Sequence, residues 1–365
     1  MPSKEKIVLS VINDLSNDQR LHKVCTSLQK HGFEPVLVGR YLPNSTTVER
    51  SYSTKRFRLW FNKGPLFYLN YNLRLFFYLL FSKASIFVAN DLDTLLANYL
   101  AAKLKGKKLV YDSHELFTEV PELIHRPKVQ AIWKKLEKWM LPNIQYAYTV
   151  SEGLQDYYYS KYNIDMKLIR NFPFVKRNST LPKKENYLIY QGALNIGRGV
   201  EELIAAMQFV ENHQLLIAGG GDIDQELRQL VESLGLKDKV TFLGRLPLEQ
   251  LSEITAKAKL GFSIEKKQGL NYELALPNKI FDYIQSAVPV LYSDLQEVKK
   301  TLKGYEVGEE LKSYEAKELA EQIQQMLNSD NYEKWLQECS RAAAVFCWEN
   351  EEQKLIELYR EVERA

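Results

Sequence analysis

The sequence predicts an α/β protein built of two doubly wound domains, each a parallel sheet covered by helices. Three observations carry this. Strand-like runs alternate with amphipathic helical runs along most of the chain. The 365 residues, 45% of them hydrophobic, exceed what one ordinary core holds. The polar stretch Lys176–Asn186, with Pro182 and several charges, reads as a linker between two such units.

In the first half, strands are expected at Ile7–Ile12, Glu34–Val38, Ile86–Ala89, Lys108–Tyr111 and Ala147–Val150. Helices at Gln19–His31, Thr94–Leu104 and Lys128–Leu141 lie between them, and Leu73–Phe81 is expected in the core. In the second half, strands are expected at Tyr187–Gln191, Gln214–Ala218, Val240–Phe242, Leu260–Ser263 and Val288–Tyr292. Helices Gly199–Glu211, Ile223–Leu234 and Leu248–Ala258 separate them. The stretch Leu276–Leu291 is the most informative. Pro277 suits the first turn of a helix, Ile280, Phe281 and Ile284 recur at helical spacing, and Ala287–Leu291 reads as a short buried strand. Lys279 and Asp282, three apart, can project from the first turn towards one spot, where helix N–H groups suit a phosphate. Taken alone, the pair reads as an exposed ion pair on a core helix.

Composition excludes several classes. A formal net charge of +3 makes no case for nucleic acid. Cys25, Cys339 and Cys347 lack metal-ligand spacing and read as reduced cytosolic thiols. The N-terminal residues read as a first strand rather than a signal peptide. The apolar run Leu75–Phe81 is far shorter than the ~20 residues that span a bilayer. The expected location is cytoplasmic, with peripheral attachment at the cytoplasmic face of the membrane left open.

Several segments can carry chemistry. Tyr190–Ile204 is a strand, a loop with Gly192, Gly197 and Gly199, and a helix, and Arg198 stands where the helix begins. An arginine there can fork onto diphosphate oxygens, although an ordinary β–α turn with a solvated arginine fits as well. Leu215–Asp222 runs into Gly219, Gly220 and Gly221. It is not a dinucleotide fingerprint, because position 224 is Asp where the third glycine belongs, so a tight turn is the reading and a nicotinamide enzyme is unsupported. In Val110–Phe117, His114 and Glu115 follow a strand's C-terminal end, the usual site position in an open α/β sheet. A histidine there can donate to a substrate hydroxyl or act as an acid/base. Asp91 and Asp93 form a short acid-x-acid pattern, read as loop and helix-cap residues without metal. From Arg50 to Lys83 the chain has seven Lys/Arg, eleven aromatic residues and no acid. Lys55, Arg56, Arg58, Trp60 and Lys63 form an amphipathic cationic stretch suited to an anionic membrane surface, with Phe57 and Phe61 among them.

Together these segments resemble the family 4 retaining glycosyltransferases over nearly the whole chain. That resemblance implies the GT-B fold: two Rossmann-like domains facing a central cleft, with a C-terminal helix crossing back. The boundaries expected are 1–174 for the acceptor-side domain, 175–345 for the donor-binding domain and 346–365 for the returning helix. His114 looks like the family histidine near the transferred sugar. Gly192-Ala-Leu194 with Arg198-Gly199 matches the segment whose basic pair contacts the donor diphosphate, Ala193 replacing the first basic residue. Phe242-Leu-Gly-Arg245 resembles the nucleobase segment. Asp282, seven residues before Pro289, falls on the second acid of an acid-x₇-acid motif that typically binds the donor ribose. The first acid falls on Leu274, which cannot do that work; Glu273 is adjacent and Glu265 lies upstream. Asn271, Asn278 and Lys279 are candidates for the lost contacts. Ile169–Pro173 resembles the interdomain segment, and Trp348–Tyr359 the last helix.

The resulting expectation is a retaining transferase moving a sugar from a nucleoside-diphosphate sugar to a hydroxyl acceptor on a glycan or lipid, in cell-surface polysaccharide or glycolipid assembly. No cofactor or metal is expected. The catalytic candidates are His114, Arg198 and Lys279. The donor-binding candidates are Gly192, Arg198, Gly220, Arg245, Asn271, Asn278, Lys279 and Asp282. The acceptor or membrane candidates are Asn13, Arg20, Lys55, Arg56, Arg58, Trp60 and Lys63. A sugar-nucleotide epimerase or hydrolase of the same fold is one alternative. A catalytically silent scaffold, suggested by Ala193 and Leu274, is the other.

Overall fold

A computed structural model describes residues 5–16, 18–43, 45–176 and 182–365. The chain divides into two units, one running to Asn171 and taking in Glu351–Ala365, the other Phe172–Asn350. The middle of the expected linker, residues 177–181, lies outside the described residues.

In the first unit seven parallel strands are β1 (Lys6–Asp14), β2 (Glu34–Arg40), β3 (Ser53–Phe57), β4 (Ile86–Asn90), β5 (Lys108–Ser113), β6 (Tyr146–Thr149) and β7 (Lys167–Leu168). They lie in the order β3-β2-β1-β4-β5-β6-β7. The inner strands are apolar on both faces, as helices on both sides require. Every residue of β4 is buried, and Ile7, Val8, Leu9 and Ser10 of β1 run beside Ile86, Phe87, Val88 and Ala89. Helix Gln19–Lys30 starts where the Asp18 carboxylate accepts from the Leu21 N–H at 3.0 Å, and helix Leu92–Lys105 stops at Gly106 in the left-handed region. Helix Trp348–Arg364 packs in this unit beyond Asn350. Glu352 pairs with Lys30 at 2.9 Å, and the Arg360 guanidinium lies 4.6 Å from the centre of the Phe33 ring.

The second unit has β8 (Tyr187–Ala193), β9 (Gln214–Gly220), β10 (Val240–Gly244), β11 (Leu260–Ser263), β12 (Val290–Tyr292) and β13 (Gly308–Glu310). All are parallel, in the order β10-β9-β8-β11-β12-β13. One core packs Leu188, Tyr190, Ile217 and Phe262 against Leu203, Ile204, Leu227 and Ile323. Another packs Ile189, Val288 and Val290 against Ile280, Phe281, Ile284 and Val298. The sheet is therefore covered on both faces.

Three short edge strands were not expected. Ser53–Phe57 has four polar residues of five, Lys167–Leu168 has two residues, and Gly308–Glu310 has no large apolar side chain. Such edges leave no apolar pattern to detect. Pro277 precedes the helix rather than opening it: the helix is Asn278–Gln285. The expected strand Ala287–Leu291 begins only at Val290, since Ala287 has φ +46° and turns the chain. The helix expected over Gly199–Glu211 ends at Ala206. Leu73–Phe81 was expected in the core, and only part of it is: Leu75 and Leu79 are buried, whereas Leu73, Phe77 and Phe81 are exposed.

Candidate functional site

In each sheet the strand order reverses beside the central strand, between β1 and β4 in the first unit and between β8 and β11 in the second. The chain leaves neighbouring strands in opposite directions there, opening a crevice at their carboxyl ends.

In the second unit, Gly192 near the end of β8 has φ +137°, and a Cβ there would meet the Lys279 Cε at 3.2 Å. Bare backbone thus borders the lysine. The Lys266 N–H donates to the Gly197 carbonyl at 2.8 Å, tying the loop after β8 to the loop after β11. Gly199, at φ +74°, makes this approach possible, because a Cβ would lie 2.3 Å from the Ile264 carbonyl oxygen.

Glu265, two residues beyond β11, is buried between two cations. Its carboxylate lies 2.8 Å from Lys279 Nζ and 3.7 Å from the Arg198 guanidinium, and accepts from Ser263 Oγ at 2.8 Å. Lys279 Nζ also donates to Tyr190 Oη at 3.0 Å. Burial by itself disfavours both charges, yet mutual attraction overrides it: the Lys279 ammonium is held above its ordinary range and the Glu265 carboxyl below its own. Two cations around one carboxylate leave one net positive charge at the strand ends. Arg198 is half-buried: its Nε is enclosed without a hydrogen-bond partner among the described residues, and the partly exposed guanidinium tip is held by the 3.7 Å ion pair. It retains donors for an anion, whereas Lys279 is largely committed.

Lys279 and Asp282 do not converge as expected. Asp282 Oδ2 accepts from Gln191 Nε2 at 3.0 Å, and Gln191 Oε1 accepts from Thr255. Tyr190 and Gln191 are successive residues of β8 and point to opposite faces, so the two helix residues reach different places. Asn278 stands exposed at the first helical position, Arg245 is exposed after β10, and Arg245 Nε lies 3.3 Å from where a Gly220 Cβ would be. Asn271 and Leu274 belong to the short helix Leu270–Leu274.

In the first unit the strand ends carry a charged quartet. His114 Nε2 lies 2.7 Å from Asp112 Oδ2, and His114 Nδ1 lies 3.1 Å from Asp91 Oδ2. Arg20 Nη2 donates to Asp112 Oδ1 at 2.8 Å. Asp91 also accepts the His114 N–H at 2.8 Å and has φ +62°, a strained value for a residue with a side chain. Burial opposes a charged ring, but Asp112 and then Asp91 outweigh it and lift the His114 pKa to about 10. His114, expected as a hydrogen-bond donor or acid/base, has both ring nitrogens facing carboxylates, an arrangement that favours the imidazolium. Arg20, expected on an acceptor surface, is buried and committed to Asp112. Asp91 holds the N-cap position but spends its carboxylate on His114 instead of capping, and Asp93 is buried with its pKa pushed well up. Asn13 is exposed and donates to Asp18. Among the described residues no group of three or more His, Cys, Asp or Glu is arranged to hold a metal.

Arg56 also leaves the expected surface set. It pairs with Asp14 at 3.5 Å, donates to the Thr46 carbonyl and stacks 3.9 Å from the Tyr41 ring centre. Lys55, Arg58, Trp60 and Lys63 are exposed. Sequence reasoning passed over Tyr190 and Asp112 and left Glu265 without a role. The only local signal for Asp112 was its place two residues before His114, at the carboxyl end of β5.

Two family models match successive parts of the chain: Glycosyltransferase Family 4 over residues 19–172 and Glycosyl transferases group 1 over residues 171–343. A Campylobacter jejuni α-1,4-N-acetyl-D-galactosaminyltransferase that acts on an undecaprenol-diphosphate-linked glycan is 30% identical over 188 residues, 49% of this chain and 48% of that protein. The O-antigen chain mannosyltransferase RfbU of Salmonella typhimurium is 30% identical over 128 residues, 34% and 36% of the two chains. The matched region thus spans about half or less of these relatives. Among solved structures, sucrose-phosphate synthase from Thermosynechococcus elongatus superposes with a TM-score of 0.78 at 20% identity, covering 99% of this chain and 100% of that one. Anabaena HepE, solved with UDP and glucose, gives 0.76 at 15% identity, covering 98% and 100%. With its two parallel-sheet units and both family segments in order, the chain belongs to the family 4-like glycosyltransferases of GT-B fold.

Proposed function

We propose that the protein transfers a sugar from a nucleoside-diphosphate sugar to a hydroxyl of a glycan or lipid-linked acceptor, with retention at the anomeric carbon and without a metal. The observation that carries this is the Arg198–Glu265–Lys279 cluster at the β8/β11 reversal: a fixed positive site beside glycine backbone and the exposed start of helix Asn278–Gln285. Arg198, with unused donors, is the leaving-group cation, and helix N–H groups add to it as charge develops on the departing diphosphate. Gly220, Arg245, Asn271, Asn278 and Asp282 are assigned to the rest of the donor, with Arg245 towards the nucleobase and Asp282 towards the ribose. His114 is assigned to orienting the sugar. No side chain is assigned as a covalent nucleophile, so the acceptor attacks on the face the phosphate leaves.

HepE was solved with UDP and with UDP-glucose, so UDP-hexoses and UDP-N-acetylhexosamines are the first donors to test. Calorimetric titration of the wild type and Arg198→Ala with each donor, followed by assignment of the product's anomeric configuration, tests the reading. Donor binding that depends on Arg198 and a retained product support it; inversion, or sugar release equally fast without acceptor, refutes it. Ala193 and Leu274 favour a second reading, a scaffold without turnover, which predicts no donor binding at all.

A further inference from the structure

We propose that the outward face of helix Gly64–Phe81 is a docking surface for an anionic lipid membrane. A helix that covers a sheet normally turns polar side chains to water, and one that is apolar all round has a second apolar environment. Phe67, Tyr71, Leu75 and Leu79 are buried against the sheet. On the opposite side Leu66, Leu69, Leu73, Phe77 and Phe81 are each at least half exposed, Phe81 at 85%. At 100° per residue these five fall within roughly 120° of the helix circumference, and they extend along ~22 Å of its axis. Just before the helix Trp60 is 78% exposed, with Arg74 stacked 4.7 Å from its ring centre. A continuous stripe of this kind marks an interaction face rather than scattered surface residues.

The charges around the stripe select the occupant. Residues 50–90 contain no Asp or Glu, and Arg58, Lys63 and Lys83 are exposed at the two ends of the helix. Helix Pro127–Met140 packs alongside through Tyr68–Trp133 and carries exposed Ile132, Trp139, Lys135 and Lys138. Leucine and phenylalanine flanked by cations and an interfacial tryptophan is the chemistry of a helix lying in the headgroup plane of an anionic bilayer. Among the described residues no helix is long and apolar enough to cross a membrane, so this one would lie on the surface. The stripe, rather than Lys55–Lys63 alone, supplies the apolar part of the contact. It belongs to the first unit, shares no residue with the β8/β11 site and does not depend on the transfer reaction.

Flotation of the full chain with phosphatidylcholine vesicles containing about one-third phosphatidylglycerol tests this. The triple variant Leu69→Glu, Leu73→Glu, Phe77→Glu changes only exposed positions, and its melting temperature confirms that it folds. The wild type should float, less so on vesicles of phosphatidylcholine alone, and the variant should partition at least about tenfold more weakly. Equal flotation of wild type and variant overturns the proposal. So does wild-type protein that ignores both kinds of vesicle, or one that instead forms dimers in sedimentation that the triple variant abolishes.

Discussion

If His114 is held between Asp112 and Asp91 as described, it remains protonated well above neutral pH. Its pKa is lifted from 6.5 to about 10, which at 1.36 kcal/mol per unit corresponds to up to about 5 kcal/mol of coupling to folding. That figure is an upper bound, because the side chain is 21% exposed and water screens part of the attraction. The sign follows from the direction of the shift. A cationic group with a raised pKa stabilises fully below its unfolded value of 6.5, and the contribution is lost as pH rises to about 10. Between those values the slope is at most ~1.4 kcal/mol per pH unit. Selective ¹⁵N-histidine labelling reads the ring directly, since the chain has only five histidines and His114→Gln identifies one of them. The His114 signal should stay in its imidazolium position at pH 8.5, while His22, whose pKa burial lowers, is already neutral there. Urea unfolding at pH 6.5 and 9.5, compared between wild type and His114→Gln, should show the difference shrinking with pH; the subtraction removes thiol and tyrosine titrations common to both. Asp112→Asn should bring the ring back towards its ordinary range. A wild-type ring that titrates near 6.5, or two proteins that lose stability in parallel, would refute the reasoning.

Three further outcomes are expected. Arg198→Ala should lower turnover ~30- to 1000-fold, the roughly 2–4 kcal/mol of a charge-assisted contact at a leaving group, and a rate within a few fold of wild type removes Arg198 from that role. Glu265→Gln strands the buried Lys279 ammonium and should cost the second unit about 3 kcal/mol at pH 7 in urea unfolding. Because the Glu265 pKa is lowered, its contribution is present above its ordinary 4.5 and lost on acidification, so the gap between the two proteins should narrow below that pH. Activity should survive EDTA, and loss on chelation with rescue by Mn²⁺ or Mg²⁺ overturns the metal-free reading.

The order of strands and helices was legible because parallel strands buried on both faces are short apolar runs and their covering helices repeat at 3.6 residues. Glycines and an arginine after β8, a histidine after β5 and a lysine at a helix start were legible for a similar reason, since the carboxyl ends of strands are where an open sheet exposes its residues. What each of those groups does there was not. The partners of Lys279 are Glu265 and Tyr190, 14 and 89 positions away along the chain, and those of His114 include Asp91 from another strand end. Ion pairs depend on distance after folding and leave no periodic trace in sequence. The same limit explains Leu73–Phe81. Composition marked it as apolar, but only the packing of Leu75 and Leu79 against the sheet leaves Leu73, Phe77 and Phe81 turned to water. Local sequence therefore determined which elements form and where functional groups stand on them; tertiary packing decided which charges are neutralised and which apolar face stays open.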